Sequence, residues 1–249
     1  MAGPEQKDKP KGIKFYGVDD VYSESGVDLT LLRSNLRKSI EERLANNRRA
    51  AEGALALWQA APYRELLSSR LNRSLSMTDA GAFLKLLVTQ KVQFVLIGGQ
   101  ALVAHGSAHV TFDTDICYQR TPANLATLVG ALTPIHPYLR GVPPGLPFHF
   151  DVPTLEAGLN FTLDTDYGEI DILGEVSGVG TYDQVLAQSV EKLVYGLPIR
   201  VLSVEGLIAA KKAAGRTKDQ LHLLELIELK KMLDAANPPE NDRRPTPSA

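Results

Sequence analysis

The feature that most restricts this chain is the run Val92-Gln-Phe-Val-Leu-Ile97 leading straight into Gly98-Gly99. An apolar stretch rich in β-branched residues reads as a buried strand. Two glycines at its end permit a positive φ and let another group approach the backbone closely. Gln100 to His105 then reads as the start of a helix. A helix beginning at such a turn offers free N–H groups and the positive end of its dipole, which suit a phosphate. Gly98 and Gly99 are therefore candidate phosphate-binding residues, with a plain tight turn as the alternative.

Phe112 to Tyr118 reads as the next strand, and it carries Asp113 and Asp115. Residues two apart on a strand share a face, so the spacing predicts two adjacent carboxylates. Their repulsion is relieved by a divalent cation, and hard oxygen donors select Mg²⁺ or Mn²⁺ over zinc. Asp171 is the candidate third ligand. It lies in Glu169-Ile-Asp-Ile-Leu173, where acids alternate with isoleucines, and Glu169 shares its face as the rival. Three carboxylates with phosphate oxygens can hold two cations about 3.5–4 Å apart, the arrangement that drives in-line phosphoryl chemistry. Asp171 is also a candidate acceptor for the proton of an attacking hydroxyl.

The rest of the chain predicts the frame. Leu29 to Leu36 reads as a short helix. Ser39 and Glu42 form a capping box for a helix from Ile40 to about Gln59, with the apolar stripe Ile40, Leu44, Ala51, Leu55 and Trp58. Arg43, Arg48 and Arg49 fall off that stripe, and Pro62 ends the run. Thr78 is the expected cap of a helix carrying Phe83, Leu84 and Leu87. Pro122 to Leu132 is a further helix, and the Pro- and Gly-rich Tyr138 to Phe148 is a loop. Leu159 to Leu163 and Glu169 to Leu173 form a hairpin, and Ile199 to Leu202 is a strand. Ser203 caps a helix that stops at Gly215, and Thr217 with Gln220 opens a last helix to about Leu233. The expected organisation is a polar tail at 1–12, a helical extension at 13–75, a mixed domain at 76–235 and a tail at 236–249. The expected fold class is α/β (α+β), a mixed sheet flanked by helices.

Composition removes several function classes. The one cysteine, Cys117, cannot form an internal disulfide, which fits a reducing, cytoplasmic setting. It shares the face of the aspartates, but without a paired His and orienting acid it reads as a core residue rather than a nucleophile. Five scattered histidines give no zinc pattern, and His105 before Gly106 reads as structural. There is no Walker motif, no Gly-x-Gly-x-x-Gly and no apolar run long enough to span a membrane. The net charge of −2 hides a split. From Arg33 to Arg73 nine bases face four acids, whereas from Asp113 to Asp183 ten acids face Arg120 and Arg140. The basic region offers a surface for RNA, although 6% aromatic residues argue against base stacking.

The sequence Ile97-Gly-Gly-Gln-Ala101, His105-Gly-Ser107 and Thr111-Phe-Asp-Thr-Asp-Ile116 resembles the signature of the polymerase-β-type nucleotidyltransferase superfamily. It is most similar to small bacterial members related to abortive-infection toxins and minimal nucleotidyltransferases, over about Phe83 to Leu233. The resemblance implies a nucleotidyltransferase-type fold and transfer of NMP from an NTP to a hydroxyl of RNA, protein or a small molecule. It also implies that Lys211, Arg216 and Lys218 engage the nucleotide, and that a cognate antitoxin is a partner. The chain departs from the family pattern at His109, where Arg is frequent, and at Lys218, His222 and Leu223 in the closing motif. Those departures motivate an alternative, a nucleotide-sensing or partner-binding module that keeps the fold without catalysis.

Overall fold

The computed structural model describes residues 14–15, 19–60, 78–142 and 147–236, with the side chains of 14–15, 19–20 and 217–218 left aside. The expected tail at 1–12, the stretch from Pro62 to Ser76, the tail beyond Ala236 and the Lys218 side chain lie outside the described residues.

The chain opens with the small pair β1 (Lys14–Phe15) and β2 (Asp19–Asp20), then α1 (Leu29–Leu36) and α2 (Ile40–Ala60). The capping box forms as read: Ser39 N donates to Glu42 Oε2 at 2.7 Å and Glu42 N to Ser39 Oγ at 3.1 Å. Helix α3 (Ala80–Thr89) follows. Its cap is Asp79, which accepts from Ala82 N at 3.0 Å. Thr78, the expected cap, instead donates its hydroxyl to the Glu169 carbonyl at 2.9 Å, because it lies against the sheet.

Strand β3 (Phe94–Ile97) is buried at every position and feeds α4 (Gly98–His105), which in turn leads to β4 (Thr114–Tyr118). Then come α5 (Pro122–Leu132), β5 (Tyr138–Leu139) and α6 (Val152–Ala157). The hairpin β6 (Asn160–Thr165) and β7 (Gly168–Leu173) is followed by β8 (Glu175–Val176), β9 (Gly180–Thr181) and α7 (Tyr182–Ala187). The chain closes with β10 (Ser189–Val194), β11 (Leu197–Leu202), α8 (Val204–Ala214) and α9 (Thr217–Ala236). Ser203 and Gly215 bound α8 as the sequence predicts, the glycine at φ +61°.

Seven strands form one mixed sheet in the order β10-β11-β3-β4-β7-β6-β5. β4 runs antiparallel to β3 and parallel to β7. Helices α4 and α7 both pack against β3, and the strand is buried at every position, which is why it is apolar throughout instead of alternating. Elements α6, α7 and β10 have no counterpart in the sequence reading. The two helices have six residues each, too short to show a period, and β10 is an edge strand whose Glu191 and Lys192 break the alternation.

The helical extension packs on the same core. Leu44 of α2 joins the central apolar cluster, and Asn47 Nδ2 donates to the His109 carbonyl at 2.8 Å. Arg43, expected on the solvated side, is half-buried and donates from Nη1 to the Ala104 and Val103 carbonyls at 2.9 and 3.4 Å. Those carbonyls belong to the last turn of α4, where a helix lacks internal donors and its dipole favours a cation.

Candidate active site

The site lies where three segments meet at one end of β3, β4 and β7. In register, Asp115 of β4 stands between Ile97 of β3 and Asp171 of β7. Residues paired across neighbouring strands point to the same face, so the register alone brings Asp115 and Asp171 together. Asp113 does not sit on the strand as expected. The strand begins at Thr114, and Asp113 lies in the bend before it, held by a 2.8 Å hydrogen bond from Thr111 Oγ1 to its Oδ1. It still joins the group: one ligand oxygen from each of Asp113, Asp115 and Asp171 lies within 4.8 Å of the others.

The glycines explain how the carboxylates come so close. Gly98 has φ +61°, and a Cβ there would lie 1.8 Å from Asp115 Oδ2. At Gly99 a Cβ would lie 2.2 Å from Thr111 Oγ1. The space that glycine leaves is used first by the protein's own Asp115 and Thr111. α4 has no side-chain cap of its own, and Gly99 N donates to Asp115 Oδ2 at 3.4 Å, so a carboxylate from another strand faces its N-terminus.

Burial, followed by the charges of Asp113 and Asp171, pushes the Asp115 carboxyl up to about 7, against the opposing pull of Gly99 N–H and Lys211. Crowded anionic oxygens that resist ionisation are the signature of a site completed by added positive charge. The three carboxylates thus fit a divalent cation bound through oxygen.

Glu169, the rival to Asp171, shares the Arg140 guanidinium with it but is not one of the three clustered carboxylates. Arg140 Nη2 donates to Asp171 Oδ1 at 2.7 Å, its Nη1 lies 3.4 Å from Glu169 Oε2, and its Nε lies 3.6 Å from Asp164 Oδ1. Arg140 was legible only as one of two bases in an acidic stretch, and the tertiary structure sets it against Asp164, Glu169 and Asp171. The other, Arg120, donates to the Tyr118 hydroxyl and to the Leu155, Glu156 and Gly158 carbonyls, closing the end of α6.

Lys211 and Arg216 converge on one buried acid. Lys211 Nζ donates to Asp219 Oδ1 at 2.6 Å and Arg216 Nε to Oδ2 at 2.7 Å, while the Asp219 side chain is 1% exposed. Burial alone would raise the Asp219 pKa, but the hydrogen bonds from Lys211 and Arg216 outweigh it and hold the carboxyl below its ordinary value. Two positions that depart from the family pattern meet here: the rings of His109 and His222 have centroids 3.9 Å apart, and His222 Nδ1 lies 3.5 Å from Lys211 Nζ.

Two residues take the structural role read for them. His105 Nε2 lies 2.9 Å from the Leu202 carbonyl, and burial pulls its pKa down to about 4, so it is neutral with the proton on Nε2. Cys117 is fully buried and its thiol is pushed up to about 12 by burial, which removes it as a nucleophile.

No protein-family model matches the chain, and no curated protein matches its sequence. Among solved structures it is similar to a lincosamide antibiotic adenylyltransferase, LnuA, in its lincomycin-bound form. That match has 15% identity and a TM-score of 0.42, over 61% of this chain and 98% of the other. It is also similar to a candidate nucleotidyltransferase from Thermotoga maritima, at 15% identity and a TM-score of 0.38, over 66% of this chain and 99% of the other. At TM-scores below 0.5 neither likeness decides the chemistry of the site; the side chains at the end of β3, β4 and β7 do.

Proposed function

We propose that the protein is a Mg²⁺- or Mn²⁺-dependent nucleotidyltransferase that passes NMP from an NTP to an acceptor hydroxyl. The observation that carries this reading is the convergence of Asp113, Asp115 and Asp171 beside the Gly98-Gly99 turn. Asp113 and Asp115 would hold the cation from the β4 side and Asp171 from β7. When bound, the cation supplies positive charge to the phosphate oxygens and to the attacking oxygen. The N–H groups at the start of α4 lie beside the same carboxylates and suit a phosphate of the nucleotide. Lys211, whose charge reaches Asp115, is a candidate contact of the triphosphate, with Arg216 and Lys218 as further candidates.

The transfer balances simply. The acceptor oxygen forms a bond to the α-phosphorus, the bond from that phosphorus to the β-phosphate oxygen breaks, and pyrophosphate leaves with its electron pair. The hydroxyl proton passes to a carboxylate of the triad or through it to solvent. Alignment and charge compensation supply the rate, with no covalent intermediate required.

The test is incubation of the full chain with α-labelled NTPs, Mn²⁺ and fractionated cell extract. Label transferred to an RNA, protein or small-molecule fraction identifies the acceptor class. The combined Asp113→Ala and Asp115→Ala change is expected to abolish it, and labelling that survives this change overturns the assignment. Loss of growth on expression, relieved by Asp115→Ala, tests the toxin-like variant of this reading and the need for an antitoxin.

One observation favours a second reading, a nucleotide-sensing or partner-binding module. Asp219 already holds both Lys211 and Arg216, the cations expected to meet the triphosphate, and offsets one of their two charges. NTP binding by calorimetry that needs no divalent cation and releases no pyrophosphate selects that reading.

A further inference from the structure

Arg140 is set into the site by the backbone as well as by its side chain. Its amide donates to the Thr162 carbonyl at 2.9 Å, extending the pairing of β5 with β6 by one residue, and Nη2 also donates to the Leu163 carbonyl at 3.2 Å. The side chain is 18% exposed and meets three carboxylates, of which Glu169 is 5% exposed. Asp164 and Glu169 face each other across the hairpin. Asp171 belongs to both groups: it is held by the guanidinium at 2.7 Å and it is the β7 member of the carboxylate triad.

A divalent cation at Asp171 would therefore stand a few ångströms from a fixed guanidinium. Like charges at that range in a half-buried site repel strongly and are little screened by salt. Among the described residues Asp113 and Asp115 have no guanidinium or ammonium in ion-pair contact: Asp113 is bonded to the Thr111 hydroxyl and Asp115 to a backbone N–H, with the charge of Lys211 acting on Asp115 only from beyond contact range. The two ends of the triad are electrostatically unequal.

We propose that Arg140 is the resident counter-cation of this site. It claims Asp171 while no nucleotide is bound and lowers the affinity of the Asp171 side for a divalent cation, which makes it a positioning residue acting through Asp171. This rests on the metal-dependent reading of the triad. Asp113 and Asp115 then take the first cation, and the Asp171 side fills when triphosphate brings compensating negative charge.

The experiment is calorimetric titration of MnCl₂ into the full, nucleotide-free chain. Glu169→Gln is compared with Glu169→Gln/Arg140→Met, so that no buried carboxylate is left alone when the guanidinium is removed. The double variant is expected to bind Mn²⁺ roughly tenfold more tightly at its weaker site, and adding Asp171→Asn is expected to remove the gain. Equal or weaker binding in a folded double variant overturns the role of Arg140. Should that variant not fold, ¹⁵N-arginine spectra of the unmodified protein decide. The guanidinium signal identified by its loss in Arg140→Lys is expected to shift at saturating Mg²⁺, and an unmoved signal overturns the proposal. Mn²⁺ heat that is lost on Asp113→Ala yet indifferent to Arg140 sinks this inference alone. No Mn²⁺ heat in any form of the protein sinks the metal site, and with it both readings.

Discussion

Gly98 holds φ +61° with Asp115 Oδ2 in the place of its missing Cβ. Gly98→Ala meets a backbone penalty and a clash together, so a loss of at least about 1–3 kcal/mol in urea unfolding is expected, with loss of Mn²⁺ binding. Asp115 carries a second residue-scale consequence. Its carboxyl moves from 3.8 to about 7 in the folded, metal-free protein. A raised carboxyl pKa means that folding favours the protonated form. Its contribution to stability is therefore fully present below about 4 and is lost as the pH rises to about 7. With divalent cations chelated, the urea midpoint should fall from pH 5 to pH 8 through this group, and Asp115→Asn should flatten that slope and stabilise the protein at pH 8. A slope identical in Asp115→Asn contradicts the assignment. Asp115 and Asp171 were legible as candidates because both stand in strand segments where a period of two fixes the face, whereas Asp113, read on the strand by the same period, joins them from the bend before it. Arg140 was not legible in this way, because the reach of a side chain from a loop leaves no periodic trace.

At the scale of elements, the α2–α4 contact decides how the helical extension is held. Arg43 reaches the last carbonyls of α4, and Asn47 reaches the His109 carbonyl. The Arg43 bonds are charge-assisted, and hydrogen bonds from a charged donor contribute about 1.5–3 kcal/mol each. Arg43→Ala is accordingly expected to cost about that much, and amide exchange should accelerate through α2 before it does in β3. Uniform acceleration in both would show that the extension does not open separately. The boundaries of α1, α5 and α8 follow from local signals, namely leucine spacing, Pro122 at a helix start, and Ser203 with Gly215. The cap of α3 did not follow, because Thr78 and Asp79 are equivalent in sequence and the nearby sheet carbonyl chose between them.

Over the whole molecule, the acidic middle of the chain is built around its two arginines, one closing a helix end and one facing the carboxylates. Anything that binds only the folded protein raises its stability by mass action. Mn²⁺ at a hundred times its dissociation constant should add about 2.7 kcal/mol to unfolding. The combined Asp113→Ala and Asp115→Ala change should erase that gain, and a cation effect surviving it would place binding elsewhere. Among the described residues no helix is long and apolar enough to cross a membrane. What the sequence determined by itself was local: the buried strand, the glycine turn, and the alternation that aims acids to one side. These depend on backbone geometry within a few residues. Only the tertiary structure decided that β7 lies parallel beside β4, that Asp219 gathers Lys211 and Arg216, and that Arg140 reaches Asp171. Those contacts join segments distant along the chain, and long-range pairing is fixed by burial of the whole sheet rather than by any local preference.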